Sequence, residues 1–220
     1  MRNRAKAIER IVEKLEALYG KPTYQQRYEP LDELVCCILS QHSTDAVAFP
    51  TFEGLREKYP NWEEIAKLTQ KELAREIRRV GLPNQKAKHI LGALKEIHKR
   101  TGSYSLDILR KMPTEEARQW LISLPGVGPK TAAIVLMFAF GRGIIPVDTH
   151  VFRVGWRLGF YDKRIGAAKA HDVLMKVVPE DLCYRFHLAL IQHGRKICRA
   201  RTPLCYLCPL TRLCAYYREK

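Results

Sequence analysis

Four of the chain's seven cysteines fall in its last 23 residues, at Cys198, Cys205, Cys208 and Cys214, separated by six, two and five residues. Four thiolates converging on one centre hold either zinc or an iron–sulfur cluster. Zinc ribbons pair two Cys-x2-Cys knuckles, and this tail has only one. The wider spacing favours a [4Fe–4S] cluster. The tail also carries Pro203 and Pro209 and few apolar residues, so a cross-link of this kind supplies what a hydrophobic core would not. Cys36, Cys37 and Cys183 lie on apolar helical stretches and read as buried small hydrophobes.

The second chemical locus is Leu124-Pro125-Gly126-Val127-Gly128-Pro129-Lys130-Thr131-Ala132. Gly126 and Gly128 permit a tight turn, and Pro129 suits the first position of a helix. The turn Gly126-Val127-Gly128 then presents backbone N–H groups at a helix N-terminus, a geometry that binds phosphate. Such a contact reads no base sequence. An ordinary packing joint between two helices is the competing reading. Lys130 follows on the first turn of that helix, where it either pairs with phosphate or serves as an amine nucleophile. A lysine partly desolvated beside a positive helix end has a lowered pKa suited to that second role. Asp148, eighteen residues on in Val147-Asp148-Thr149-His150, either caps the next helix or places a carboxylate where cationic charge develops. The residues alone leave both roles open.

The elements that must position these groups are helical. Ile8, Ile11, Leu15 and Leu18 share one face of a first helix that Gly20 and Pro22 end. Pro30 opens a second helix, wholly apolar from Leu34 to Leu39 and expected at the centre of the core. Thr44-Asp45 is a candidate cap for a third, with Pro50 forcing a kink or a late start. Thr69-x-x-Glu72 is a capping box for a helix expected to end near Val80. Gly81-Leu82-Pro83-Asn84 is a turn before a basic helix, Gln85 to Arg100. Short helices around Ser105–Arg110 and Thr114–Ser123 lead to the glycine turn. Helices at Pro129–Phe140, Asp148–Leu158, Gly166–Val177 and Glu180–Ile197 follow. No strand-length alternation, repeat or low-complexity segment interrupts this pattern, so the fold class is all-α.

Lys plus Arg number 38 against 23 Asp plus Glu, a formal charge of +15, which points to a polyanionic partner. The longest apolar run, Ala132 to Phe140, is nine residues, far short of the roughly 20 of a spanning helix. The basic residues are spread over many helices with no lipid-facing stripe, so a membrane role is not expected. Met1-Arg2-Asn3-Arg4 leads into a mixed, charged helix, unlike a secretory signal. A cytoplasmic monomer is expected, associated with the nucleoid in a prokaryote, and its cysteines are then thiols or ligands.

Taken together, LPGVGPKTA, VDTHVFRV, the HGR of His193–Arg195 and the 6-2-5 cysteines resemble the endonuclease III family of DNA glycosylases, within the helix-hairpin-helix–GPD superfamily. The resemblance runs from Leu31 to Cys214. It implies two helical domains flanking a DNA-binding cleft. A six-helix domain would occupy 29–142, with the helix-hairpin-helix at about 121–140. A discontinuous domain of 1–28 plus 143–220 would carry the [4Fe–4S] loop, 198–214.

The resemblance further implies base excision on double-stranded DNA containing damaged bases or abasic sites. Lys130 matches the family's nucleophile and Asp148 its catalytic aspartate. Cys198, Cys205, Cys208 and Cys214 match the cluster ligands. The family's hairpin often holds a monovalent cation, Na+ or K+, at the phosphate. Gly126, Val127 and Gly128 would contact DNA backbone, Arg199 and Arg201 would meet phosphates, and Thr149 and His150 would face the cleft. Two residues fill the space of the flipped nucleotide. Leu82 matches one. The other is a glutamine in a Ser-Ala-Gln-Ala-Thr-Asp motif that here reads Ser40-Gln41-His42-Ser43-Thr44-Asp45, so His42 takes its register and Gln41 is displaced by one. The alternatives are a monofunctional mismatch glycosylase, for thymine/uracil or adenine, and a non-enzymatic helix-hairpin-helix DNA-binding protein. Adenine glycosylases use a glutamate on the second helix, and Leu34 to Leu39 has no carboxylate.

Overall fold

The computed structural model describes residues 2–219, with side chains from residue 5 onward. The N-terminal residues that speak against a secretory signal, Met1 to Arg4, therefore lie outside the described part wholly or in their side chains. Among the described residues every regular element is helical, and no strand occurs. In chain order they are α1 (Arg2–Tyr19), α2 (Pro30–Ser40), α3 (Asp45–Lys58), α4 (Trp62–Lys67), α5 (Gln70–Glu76), α6 (Pro83–Thr101), α7 (Thr114–Ile122), α8 (Pro129–Phe140), α9 (Thr149–Leu158), α10 (Gly166–Val177), α11 (Cys183–Lys196) and α12 (Ala215–Arg218). The chain divides into two compact units. Unit 1 comprises residues up to Gln25 and from Gly141 on; unit 2 is Gln26–Phe140.

Unit 2 is built around α2 and α8, which pack against each other. Leu34 to Leu39 are all buried, and so is most of α8. Burying each large aliphatic side chain contributes about 1.5–3 kcal/mol, which makes this pair the main support of the unit. Glu33 is fully buried in α2 and is held by the Arg27 guanidinium, which lies over the rings of Phe49 and Phe138. Burial pushes the Cys36 thiol up to about 12 and Cys37 well above its ordinary value, so both are inert packing groups.

Several element ends differ from expectation. The third helix starts at Asp45 and continues through Pro50, and the Thr44 side chain makes no capping bond. Proline there removes only the bond to the carbonyl of Ala46, near the helix start. The capping box of Thr69 and Glu72 forms, but its helix stops at Glu76, with turns from Ile77 onward. The Ser105–Arg110 segment is a 3-10 turn, Asp107–Lys111, and another 3-10 turn, Glu180–Leu182, precedes α11.

In unit 1, α11 packs between α1 and α9. Ile8, Ile11 and Leu15 are buried as their spacing requires, whereas Leu18 is 49% exposed at the helix end. Arg185 on α11 binds Glu16 on α1 through two bonds of 2.6 Å. Cys183 is buried, its thiol pushed up to about 12.

Candidate active site and cysteine pocket

The hairpin of unit 2 consists of α7, a turn and α8. Gly126 adopts φ +76°, and a Cβ there would lie 2.5 Å from the His89 side chain on α6, so glycine is required twice over. Val127 is buried and its N–H donates to Leu124 O (3.2 Å). The first bond of α8 runs from Ala132 N to Gly128 O (3.0 Å), which leaves the N–H groups of Lys130 and Thr131 without an intrahelical acceptor. A Cβ on Gly128 would meet nothing within 4 Å, and its φ is not left-handed. Lys130 stands exposed on the first turn of α8. Any desolvation of its amine therefore comes from a bound partner, not from unit 2.

Gln41 and His42 separate in role. The Gln41 amide donates to Gly126 O (3.0 Å) and Thr131 Oγ1 (3.3 Å), closing the hairpin turn from the end of α2. His42 is exposed, with φ +52°. Leu82 is 53% exposed, with φ +57°. The two flank the end of α2 and the start of α6.

Asp148, Thr149 and His150 belong to unit 1. Asp148 is the N-cap of α9, its Oδ1 accepting from Val151 N (2.7 Å), so the capping role is occupied while the second oxygen remains for other work. Thr149 is exposed. His150 Nδ1 lies 3.0 Å from Arg153 Nη2, which also donates to Gly194 O (2.8 Å). A guanidinium only donates, so Nδ1 accepts and the ring proton sits on Nε2. Burial lowers the His150 pKa in keeping with that neutral form.

Cys198, Cys205, Cys208 and Cys214 line one cavity, whose remaining wall includes Val154, Leu158, Ile197, Pro203, Leu210 and Tyr216. Among the described residues no three His, Cys, Asp or Glu side chains close on a point as they would around a single ion. Four thiols around one largely apolar cavity are a soft donor set of the kind that holds a metal centre. Arg157 is buried and clamps the loop. Its Nη1 donates to Cys198 Sγ (3.3 Å) and Arg199 O (2.8 Å), its Nη2 to Ala200 O (3.0 Å), and Trp156 and Tyr216 flank it. Leu210 N donates to Cys208 Sγ (3.4 Å), and His193 bridges Cys208 Sγ (3.4 Å) and the Tyr19 hydroxyl (3.1 Å). Burial pushes the Cys208 thiol up to about 11 and raises that of Cys214, so a metal centre must displace their protons on binding. Arg199 and Arg201 stand exposed on the same loop.

Residues 35–180 match the model of the HhH-GPD superfamily of base excision DNA repair proteins. Endonuclease III of Rickettsia felis is 36% identical over 192 residues, 84% of this chain and 83% of its own length. The chain belongs to the endonuclease III family. Endonuclease III of Haemophilus influenzae is 36% identical and covers 99% of this chain and 98% of its own. Among solved structures, a trapped endonuclease III–DNA covalent intermediate superposes with a TM-score of 0.82 at 30% identity, covering 98% of this chain and 97% of its own. A thermostable thymine-DNA glycosylase gives 0.81 at 25% identity and covers 98% of both chains. The family's all-α fold is the one observed here.

Sequence reasoning missed Arg157, His193 and Lys86 as organising residues of this endonuclease III relative. A signal for Lys86 existed. It falls in register with Ile90, Ala93, Leu94 and Ile97, the buried stripe of α6. Arg157 carried a similar one, lying between Val154 and Leu158 on the buried face of α9.

Proposed function

We propose that this chain is a bifunctional DNA glycosylase and abasic-site lyase of base excision repair, acting in the cytoplasm on oxidised pyrimidines in duplex DNA. One observation carries the reading. A lysine stands exposed on the helix turn that follows a phosphate-binding hairpin, in a family with a member trapped covalently on DNA. The turn Gly126-Val127-Gly128 shapes the site, the unpaired N–H groups of Lys130 and Thr131 at the start of α8 grip a phosphate, and the open space beside Gly128 receives it. The damaged nucleotide leaves the stack, and His42 and Leu82 take its place. His42 rather than Gln41 fills that role, because the Gln41 amide is committed to the hairpin.

Lys130 Nζ attacks C1′ of the sugar, the bond to the base breaks, and the base departs with its electron pair and takes up a proton. The Asp148 carboxylate stabilises the positive charge that develops on the sugar. The attached amine loses a proton and the C1′–O4′ bond breaks, O4′ taking up a proton, which opens the sugar to a Schiff base. This lowers the barrier to loss of a C2′ proton, and the C3′–O bond breaks by β-elimination with the 3′ phosphate leaving. Cys198, Cys205, Cys208 and Cys214 would hold a [4Fe–4S] cluster. That group cross-links the loop and carries a redox couple when bound. Arg157, His193 and Leu210 N would donate hydrogen bonds to the Cys198 and Cys208 thiolates, and Arg199 and Arg201 would meet phosphates.

Borohydride trapping on a duplex with one oxidised pyrimidine tests the reading. The wild type gives a covalent complex, and Lys130→Ala gives none while still binding duplex. A wild type that releases base without trapping is a monofunctional glycosylase, the alternative that the likeness to the thymine-DNA glycosylase keeps in view. Trapping by Lys130→Ala moves the nucleophile elsewhere. Undiminished nicking by Asp148→Asn removes Asp148 from the chemistry.

A further inference from the structure

Two residues other than glycine have positive φ among the described residues, and they are His42 and Leu82. Both conformations are costly for a residue bearing Cβ and persist only where the surroundings impose them. Here a single polar joint ties together the residues that flank both. Lys86 Nζ donates to Leu39 O (2.7 Å) and to Ser43 Oγ (3.1 Å). Ser43 Oγ also accepts from Gly81 N (3.0 Å). A Cβ on Gly81 would sit 2.7 Å from His42 O, so the two tips touch through their backbones beside the joint.

Lys86 is 2% exposed, and none of the ion pairs among the described residues includes it. Its place on the apolar stripe of α6 would take methionine or leucine without burying a charge. Burial lowers its pKa accordingly. The ammonium instead caps the last turn of α2, where the helix dipole is negative, and holds the loop that runs through His42 against the turn that runs through Leu82.

We propose that Lys86 is a positioning residue that fastens the His42 and Leu82 tips into one rigid wedge, so that both enter the base stack together. The inference rests on the reading of these tips, given above, as the groups that replace the flipped nucleotide. Two independent tips would each lose freedom on insertion; a fastened pair is ordered before DNA arrives.

A double-mutant cycle on single-turnover base release tests it, using a duplex that carries one thymine glycol. In the wild-type background His42→Ala and Leu82→Ala each slow release, and together they slow it by at least ~3-fold less than the product of the two. In a Lys86→Met background the coupling disappears, and the two effects multiply to within about a factor of two. A lysine with a merely structural role would lower thermal stability and leave the coupling intact. Coupling that survives Lys86→Met therefore overturns the proposal. Should that variant fail to fold, Ser43→Ala removes the acceptor shared by Lys86 and Gly81 and gives the same test: lost coupling supports the joint, retained coupling overturns it. Tip truncations without effect in the wild type refute the wedge reading itself, and the joint with it.

Discussion

The hairpin of unit 2 and the cysteine loop of unit 1 both carry exposed basic side chains, Lys130 on one and Arg199 and Arg201 on the other, but they are fixed in opposite ways. The hairpin rests on buried Leu121, Leu124, Val127 and Ala132, and a side chain 85 residues away in sequence, Gln41, closes its turn. Everything that shapes it is polypeptide. Between Cys198 and Cys214 only Leu210 is buried, and the backbone winds through two 3-10 turns and two prolines. Arg157 clamps the start of that loop, and four thiols face a shared cavity. The hairpin turn is thus pre-formed by packing alone. The cysteine loop, with almost no core, depends on the Arg157 clamp and, on the reading proposed above, on a bound metal centre.

The largest way to break this contrast is to remove one thiol from each unit. Cys208→Ala is expected to abolish absorption near 400 nm and to destabilise unit 1 by more than ~3 kcal/mol. Cys37→Ala should leave the colour intact and cost about 1–2 kcal/mol, a small cavity in the α2 core. Absorbance and thermal melting read both, and a colourless wild type with stoichiometric zinc would dissolve the contrast.

Next in size are the two hairpin glycines. Gly126→Ala combines a left-handed backbone with a clash at His89 and should cost about 2–3 kcal/mol in urea denaturation. Gly128→Ala meets open space and should change stability by no more than ~0.5 kcal/mol, yet weaken duplex binding, because its methyl enters the space given to phosphate. Equal effects on stability would show that Gly128 serves the fold, not the ligand. Gln41→Leu comes third, at about 1–2 kcal/mol, since Gly126 O and Thr131 Oγ1 lose their shared donor. Its duplex affinity should fall along with its stability, unlike that of Gly128→Ala.

Much of this could be read along the chain because it is written in local periodicity. The apolar run of α2, the Thr69–Glu72 capping box and the cysteine spacing each fall within a few residues. What escaped depends on partners distant in sequence. Nothing near Gln41 indicates that its amide closes a turn around Gly126, and nothing near Lys86 names Leu39 and Ser43 as its acceptors. The turn at Gly81-Leu82 also inverted a local rule. The left-handed residue is Leu82, while Gly81 is needed for its close approach to His42. Neighbouring structure, not intrinsic preference, settled both conformations.

The smallest expected effect sharpens the contrast through pH. His150 packs in unit 1 with Nδ1 accepting from Arg153, and burial, followed by the positive charges of Arg153 and Arg195, lowers its pKa below the ordinary 6.5. The unfolded chain therefore binds the proton more readily than the folded one. Stability from the neutral ring is fully present above pH 6.5 and is lost as the pH falls through the window below it. His193, buried in the same unit and lowered to about 4, acts with the same sign, so the wild type alone does not isolate His150. His150→Gln does, because its amide oxygen still accepts from Arg153 while nothing titrates. Between pH 7 and pH 5 the wild type should lose more thermal stability than His150→Gln. Parallel curves would mean that the folded state accommodates the charged ring as easily as the unfolded chain does, and that the Arg153 bond, which a protonated ring cannot accept, contributes little to stability.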